Sequence, residues 1–207
     1  MGRKERRLRD QHELRQSILA AARAIALAEG WSNVTMRKIA EEIEYSHAAI
    51  YAYFETKDQL LVELAHEGFR LLEADMLHAR ANARDPEDAL HGIARGYLGF
   101  AWRCPELYRL MYGLDGVTFR VSEPKKEGRQ IEDVASDTVK AVLEARGWST
   151  EHLADQVYLL WGTTHGLATL ALTHRIPGAQ DQAARLVDQA IQALLIAWER
   201  TLPPAGS

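Results

Sequence analysis

The sequence contains a single cysteine, which excludes a disulfide bond within the chain. An unpaired thiol suits a reducing compartment, so we expect a cytoplasmic protein. We interpret Cys104 as a small buried hydrophobic residue and not as a redox sensor.

Long apolar segments are also absent from the sequence. The longest stretch without Asp, Glu, Lys or Arg runs from Gln156 to His174, and it includes several threonines and two glycines. A membrane-spanning helix needs about 20 mainly apolar residues. We therefore interpret this stretch as a buried helix and expect no membrane partner. The basic N-terminal residues are not followed by an apolar run, so no export signal is predicted.

Motifs for catalysis and cofactor binding are missing as well. We find no phosphate-binding loop, no dinucleotide fingerprint, no zinc spacing and no nucleophile motif. The sequence therefore predicts no catalytic residue, no metal and no cofactor. The alternative is a helical di-metal carboxylate enzyme, since such enzymes use Glu-x-x-His pairs. Similar spacing occurs at Glu63 and His66, at Asp75 and His78, and at Asp88 and His91. The first pair falls on the charged face of its helix, which disfavours this alternative.

Charge is distributed unevenly along the chain. The net charge is −4, but residues 1–9 contain five basic residues and one acidic residue. This segment is predicted to be a disordered basic arm, either simply solvated or adding contacts to the backbone or minor groove of DNA.

Helical periodicity dominates the remaining sequence, and no alternating strand pattern appears. We predict an all-α fold of about nine helices, the first running from about Asp10 to Glu29. Asp85 and Pro86 have the cap and first-turn chemistry of a helix start. The last predicted helix precedes a Pro-Pro tail at residues 203–207.

Residues 35–54 contain the most informative pattern. Two short helical segments are separated by a turn at Glu44 and Tyr45. Ile39, Ile43, Ile50 and Phe54 can share one small core. This spacing is typical of a helix-turn-helix unit, whose second helix enters the major groove of DNA. Such helix pairs also occur as ordinary parts of all-α cores.

The residue types in this segment suit contact with a duplex. Ser46, His47 and Ala48 begin the second helix, where small residues allow close approach to base edges. Hydroxyl and cationic side chains flank them and are expected to hold phosphates. The predicted phosphate contacts are Thr35, Arg37, Tyr51, Tyr53 and Lys57.

Residues 10–60 resemble the N-terminal domain of the TetR family of bacterial transcriptional regulators. The resemblance is carried by TMRKIA at 35–40, YSHAAIYAYF at 45–54 and KDQL at 57–60. It implies that Tyr51, Tyr53 and Lys57 contact DNA, together with Thr35, Arg37, Ser46 and His47. Glu44 occupies a position where the family often has a turn glycine. We therefore expect a differently shaped turn, because a side chain disfavours positive φ.

The second half of the chain resembles the TetR subgroup whose C-terminal domain is named for Trp, His and Gly. The matching stretches are PELYRLMY at 105–112 and WGTTHG at 161–166. The last two predicted helices are apolar on two faces, so one face can meet the core and the other a second subunit. The alternative is a helix pair buried within one monomer. The predicted interface residues are Gly162, Gly166, Leu186, Ala190, Ala193 and Ala197.

Aromatic and sulfur-containing residues gather in the middle helices and can line an apolar ligand pocket. For each of them, ordinary core packing is the competing interpretation, and His165 is interpreted as a hydrogen-bonded core histidine. The predicted pocket residues are Tyr97, Phe100, Trp102, Met111, Tyr112, Phe119, Trp161 and His165.

These interpretations together predict a transcriptional regulator that is not an enzyme. A helix-turn-helix domain at 10–56 would bind a palindromic operator, and a domain at 57–202 would dimerise and bind a small effector. The expected function is repression that the effector relieves. A DNA-binding protein without an effector is the remaining alternative.

Overall fold

A computed structural model of the chain describes residues 2–116, 126–176 and 178–206. Within these ranges nine α-helices and one 3-10 helix, Trp31–Asn33, are present. The predicted all-α fold is therefore confirmed. The α-helices are α1 Arg3–Glu29, α2 Met36–Glu42, α3 His47–Tyr51, α4 Lys57–Ala81, α5 Pro86–Arg103, α6 Pro105–Met111, α7 Lys126–Arg146, α8 Leu153–Leu172 and α9 Ala179–Thr201.

Helix α1 begins seven residues earlier than the sequence predicted. The segment expected to be a disordered arm is helical from Arg3 onward. Arg, Lys, Leu and Glu all favour helix, and the Glu5 carboxylate accepts a 2.8 Å hydrogen bond from the Gly2 N–H. The high charge density of this segment therefore does not prevent it from forming a helix.

Side-chain caps fix the starts of the other N-terminal helices. Thr35 accepts from the Lys38 N–H and Ser46 from the Ala49 N–H, each at 3.2 Å. Asp85 caps α5 in the same way, at 2.8 Å from the Asp88 nitrogen. These bonds satisfy backbone donors that the first turn of a helix leaves open.

By their internal contacts the residues form two compact units. Unit 1 consists of residues 1–68 and 105–123, and it includes α1, α2, α3, α6 and the first part of α4. Its core is built on α1, which packs against α2 and α6. Fully buried side chains include Ile18, Trp31, Ile39, Ile50, Leu60 and Tyr108.

Unit 2 consists of residues 69–104 and 124–207. Helix α5 lies at its centre and packs against α7, α8 and α9, while α8 and α9 pack against each other. On α9, Leu195 is buried and the neighbouring Leu194 is half-buried.

The residues after α9 pair with the segment between α7 and α8. The Ser149 N–H donates to the Pro203 carbonyl at 2.9 Å, and the Ala205 N–H donates to the Gly147 carbonyl at 2.8 Å. A single antiparallel bridge joins Trp148 and Pro204. The tail is therefore held to unit 2 by backbone hydrogen bonds.

Among the described residues, every helix falls short of the length or the apolar character that crossing a bilayer requires.

Candidate DNA-binding site and ligand-binding region

The turn between α2 and α3 keeps a left-handed conformation although it contains no glycine. Glu44 has a φ of 57°, so the expectation of a differently shaped turn is wrong. The Glu44 N–H bonds the Glu41 carbonyl, and the Tyr45 N–H bonds the Ala40 carbonyl. This pair of bonds is the usual left-handed cap at a helix C-terminus. Glu44 therefore has a strained left-handed backbone, and this conformation allows the turn to form.

Helix α3 is short and faces solvent along most of one side. Its buried anchor is Ile50, whereas His47 and Ala48 are exposed and Tyr51 is 43% exposed. The His47 and Tyr51 rings meet edge to face, with 4.9 Å between their centroids. These residues lie one helical turn apart and form a continuous polar and aromatic surface.

The predicted phosphate-binding residues surround this helix. Thr35 is exposed and caps α2, and Arg37 is 80% exposed beside Glu41 at 3.2 Å. Tyr53 is half-buried just beyond the end of α3. An exposed ion pair of this kind contributes little to stability, so Arg37 can exchange Glu41 for another anion at small cost.

Lys57 is more constrained than an ordinary surface lysine. Its Nζ donates to the Trp31 carbonyl at 3.2 Å. Burial lowers the pKa of Lys57, although Asp58 acts in the opposite direction. The Lys57 ammonium group therefore has a defined hydrogen-bond partner at the start of α4.

A charged cluster with one buried member, Glu106, joins α1, α4 and α6 within unit 1. Arg23 contacts Glu67 at 2.7 Å and Glu106 at 2.8 Å, and Glu106 is only 5% exposed. The Trp31 indole N–H donates to the Glu106 carbonyl at 2.6 Å. Sequence reasoning missed this cluster, because its members are far apart in the chain and match no motif.

Three of the predicted pocket residues form a hydrogen-bonded group in unit 2. The Trp161 Nε1–H donates to the Tyr97 hydroxyl at 3.3 Å, and that hydroxyl lies 3.0 Å from His165 Nδ1. Burial lowers the pKa of His165. A neutral imidazole with an unprotonated Nδ1 can accept a hydrogen bond from the Tyr97 hydroxyl, so the arrangement favours the tautomer that is protonated at Nε2.

The other predicted pocket residues do not join this group. Phe100 is fully buried and Trp102 is half-buried in unit 2. Met111 and Tyr112 belong to unit 1, where the Tyr112 ring packs on Tyr108 at 4.9 Å. Phe119 lies outside the described residues.

Helices α8 and α9 present apolar side chains to solvent. Tyr158, Leu159 and Trp161 on α8 are 45–56% exposed, and Ile196 on α9 is 41% exposed. A Cβ added at Gly162 or Gly166 would meet nothing within 4 Å. Of the predicted interface residues on α9, Leu186 and Ala190 are half-buried, and Ala193 and Ala197 are exposed.

Comparison with protein families identifies the chain. Residues 18–64 match the family model for bacterial regulatory proteins of the tetR family. Residues 90–194, just over half of the chain, match the model for the tetracyclin repressor-like C-terminal domain. The chain belongs to the TetR family.

One curated relative is similar to this chain over a short stretch. A curated HTH-type transcriptional regulator from Haemophilus influenzae, itself uncharacterized, is 33% identical over 64 residues. That match spans 31% of this chain and only 34% of the relative.

Solved structures share the fold over most of the chain. A protein of unknown function from Rhodococcus sp. RHA1 is 27% identical, with a TM-score of 0.78 over 89% of this chain and 95% of the other. The transcriptional regulator FadR from Bacillus subtilis, crystallised with stearoyl-CoA, is 14% identical, with a TM-score of 0.68 over 86% and 96%.

This TetR-family chain also has an open groove within unit 2. Its volume is about 410 Å³, and its walls come from α4 and α5. Gly96 allows the two helices to approach, since an added Cβ would lie 3.3 Å from the Asp75 carbonyl oxygen. None of the predicted pocket residues lines the groove. Its charged walls include the paired side chains of Asp75 and Arg103.

The carboxylates of the proposed di-metal pairs are bound to arginines. Glu63 contacts Arg15 at 3.2 Å, Asp75 contacts Arg103, and Asp88 contacts Arg84 at 3.0 Å. Across the part of the chain that the structure describes, no group of three or more Cys, His, Asp or Glu side chains is placed to hold a metal.

Proposed function

We propose that this TetR-family protein is a sequence-specific transcriptional repressor that a small effector releases from a palindromic operator. The observation that carries the proposal is α3, a short, capped helix whose exposed side contains His47, Ala48 and Tyr51. Residues 10–56 would form the DNA-binding domain, and residues 57–202 the effector and dimerisation domain. Such a protein would act in the cytoplasm.

On DNA, α3 would lie in the major groove. Ser46, His47 and Ala48 would face base edges, because they occupy the exposed start of the helix. Thr35, Arg37, Tyr51, Tyr53 and Lys57 would bind phosphates and fix the orientation of the protein. The hydrogen bond from Lys57 to the Trp31 carbonyl supports this role, because a partly ordered side chain loses less entropy on binding.

The second subunit would cover the exposed faces of α8 and α9. Tyr158, Leu159 and Ile196 are large apolar side chains exposed on these two helices. Exposed apolar surfaces of this kind commonly mark interaction sites. Gly162 and Gly166 leave room for close approach, and Leu186, Ala190, Ala193 and Ala197 would complete the two-fold interface.

The effector site would include the Tyr97, Trp161 and His165 group. We place the chain in the subgroup named for Trp, His and Gly, because Trp161, His165 and Gly166 match its motif. The Tyr97 and His165 side chains would supply polar contacts in a mostly apolar site with Phe100 and Trp102. FadR, which shares only the fold, was crystallised with stearoyl-CoA, so a largely apolar effector is compatible with this fold.

We do not propose an enzymatic activity. The di-metal hypothesis requires free carboxylates, but Glu63, Asp75 and Asp88 each pair with an arginine. Stoichiometric iron or manganese in the purified protein would support the enzyme instead.

The experiment that tests the proposal is selection of preferred duplexes from random DNA by the purified protein at a stated salt concentration. We expect two inverted half-sites, with centres separated by about 10 bp or a multiple of that spacing. Changing His47 to Ala should alter the preferred sequence, whereas changing the exposed Gln11 to Ala should not. Equal weak binding to every duplex would overturn the proposal.

Effector dependence requires a separate measurement. A metabolite panel is screened by thermal melting, and each ligand that stabilises the protein is tested for release of the selected duplex. Stabilisation without release would contradict the repressor mechanism, and no stabilisation by any ligand would favour an effector-independent DNA-binding protein.

A further inference from the structure

The DNA-binding domain and the first turns of α4, residues 10–64, have an unfavourable net charge for a protein that binds a polyanion. Residues 10–64 contain nine acidic and five basic side chains, which gives a net charge of −4. Glu41, Glu42 and Glu44 lie on α2 and in the turn directly before α3. Attraction to phosphates normally dominates the affinity of a DNA-binding domain, so this segment alone is a poor source of it.

Each basic side chain of this segment already has a partner, which it must share or exchange when it binds a phosphate. Four of them pair with carboxylates, and the fifth donates to a backbone carbonyl. The pairs are Arg15 with Glu63 at 3.2 Å, Arg23 with Glu67 at 2.7 Å, Arg37 with Glu41 at 3.2 Å, Lys38 with Glu29 at 2.6 Å, and Lys57 with the Trp31 carbonyl at 3.2 Å.

The compensating charge lies on the first turns of α1. Residues 1–9 have a net charge of +4. Arg6, Arg7 and Arg9 are exposed, as are all described side chains from Glu5 to Glu13, and the fully buried positions of α1 begin at Ile18. These turns are therefore an extension of the helix beyond the core of unit 1.

Helix α1 passes beside the end of α3 at Arg15, six residues after the extension ends. The Arg15 guanidinium lies 5.2 Å from the centre of the Phe54 ring, which follows α3 by three residues. From Arg15 the helix continues toward its N-terminus for twelve residues, a length of about 18 Å at the usual rise per residue. That length equals roughly five base pairs of B-DNA, taking 3.4 Å for each step.

The basic residues at this end do not stabilise helix α1. The N-terminal end of a helix has a partial positive charge, so cations in the first turns are unfavourable there. Only Glu5 in the first turn has the favourable sign. A partner with negative charge explains why basic residues are gathered at this end.

We propose that the N-terminal extension of α1, residues 3–9, is a second DNA contact that binds phosphates beside the half-site read by α3. It supplies the net attraction that residues 10–64 lack. The proposal rests on the function proposed above, because it assumes that α3 binds a duplex.

The test uses the full-length double variant Arg6→Gln/Arg7→Gln and the duplex selected by the wild type. Glutamine preserves helix propensity, so the extension should remain helical. The slope of log Kobs against log salt should become shallower by about 2 for each bound protomer, at roughly 0.9 for each lost phosphate contact. Hydroxyl-radical protection of the sugars flanking the half-site should also recede.

Two matched variants identify the cause of any change. Arg6→Lys/Arg7→Lys keeps both charges and should keep the slope and the footprint. Gln11→Ala/Gln16→Ala changes exposed neutral positions on the same helix and should leave both unchanged. An unaltered slope in the glutamine variant would overturn the proposal.

A second result would also overturn the proposal. If the glutamine and lysine variants lost affinity equally, and both lost helical circular dichroism, the extension would have a structural role. These results are distinguishable from failure of the proposed function, in which the wild type itself would select no duplex.

Discussion

Replacing Glu44 by glycine should stabilise the protein, although it removes every side-chain atom beyond Cα. Glu44 has a φ of 57°, and its N–H and that of Tyr45 close the end of α2. A side chain at positive φ brings Cβ close to the following carbonyl, and glycine has no Cβ. The same backbone hydrogen bonds can therefore form in the variant without this strain.

The expected gain follows from two opposing contributions. Relief of the left-handed strain is worth roughly 1–2 kcal/mol. The greater freedom of glycine in the unfolded chain costs about 0.5–1 kcal/mol. The net stabilisation should be about 0.5–1 kcal/mol, which corresponds to a rise in melting temperature of roughly 1–4 °C for a chain of this size.

The assay is urea unfolding of the full-length protein, followed by far-UV circular dichroism, with Glu44→Ala as the control. Alanine removes the charge but keeps Cβ, so it should remain near the wild type and below glycine. His174→Gly provides a second site, because His174 ends α8 with a φ of 56°. If Glu44→Gly were no more stable than Glu44→Ala, the backbone at this turn would not be strained and the reasoning would fail.

Three further predictions concern the proposed functional sites. Lys57→Ala should weaken binding to all duplexes and reduce the salt slope by about 1 for each protomer, since it removes one phosphate contact; an unchanged slope would remove Lys57 from the interface. Because burial lowers the pKa of His165, the folded protein binds this proton less readily than the unfolded chain. The stability that neutral His165 contributes is therefore present above the ordinary pKa of 6.5 and lost as the pH falls below it. Urea unfolding should show that His165→Gln loses less stability than the wild type between about pH 7.5 and 5.5; equal losses would contradict this assignment. Ile196→Glu, at an exposed position of α9, should leave the monomer folded but shift sedimentation from dimer to monomer, because a charge would be buried without a partner; an intact dimer would place the interface elsewhere.

Local chemistry made much of the fold predictable. Ser46, Thr56 and Asp85 each precede a helix, and each side chain accepts a hydrogen bond from a backbone N–H three residues later. These signals depend only on neighbouring residues, so a single sequence contains them. The order of side chains in α2 and α3 similarly identified the segment with the helix-turn-helix pattern.

Contacts between distant residues were not predictable in the same way. Arg23 and Glu106 are separated by 83 residues, and nothing in either neighbourhood indicates that they meet. The predicted ligand-pocket set had the same weakness, since aromatic residues are equally common in cores. Tyr97, Trp161 and His165 do meet, whereas Met111 and Tyr112 lie in the other unit.

The pairing of the C-terminal tail with residues 147–149 has a practical consequence for anyone who handles this protein. Purification tags and fluorescent fusions are commonly joined to the last residue. There they would disturb the antiparallel bridge between Trp148 and Pro204. A long flexible spacer after Ser207 would leave the backbone pairing of the tail intact. A polyhistidine tag at the N-terminus would adjoin the arginine-rich first turns of α1. It would therefore alter the DNA affinity that the proposal above predicts for these turns.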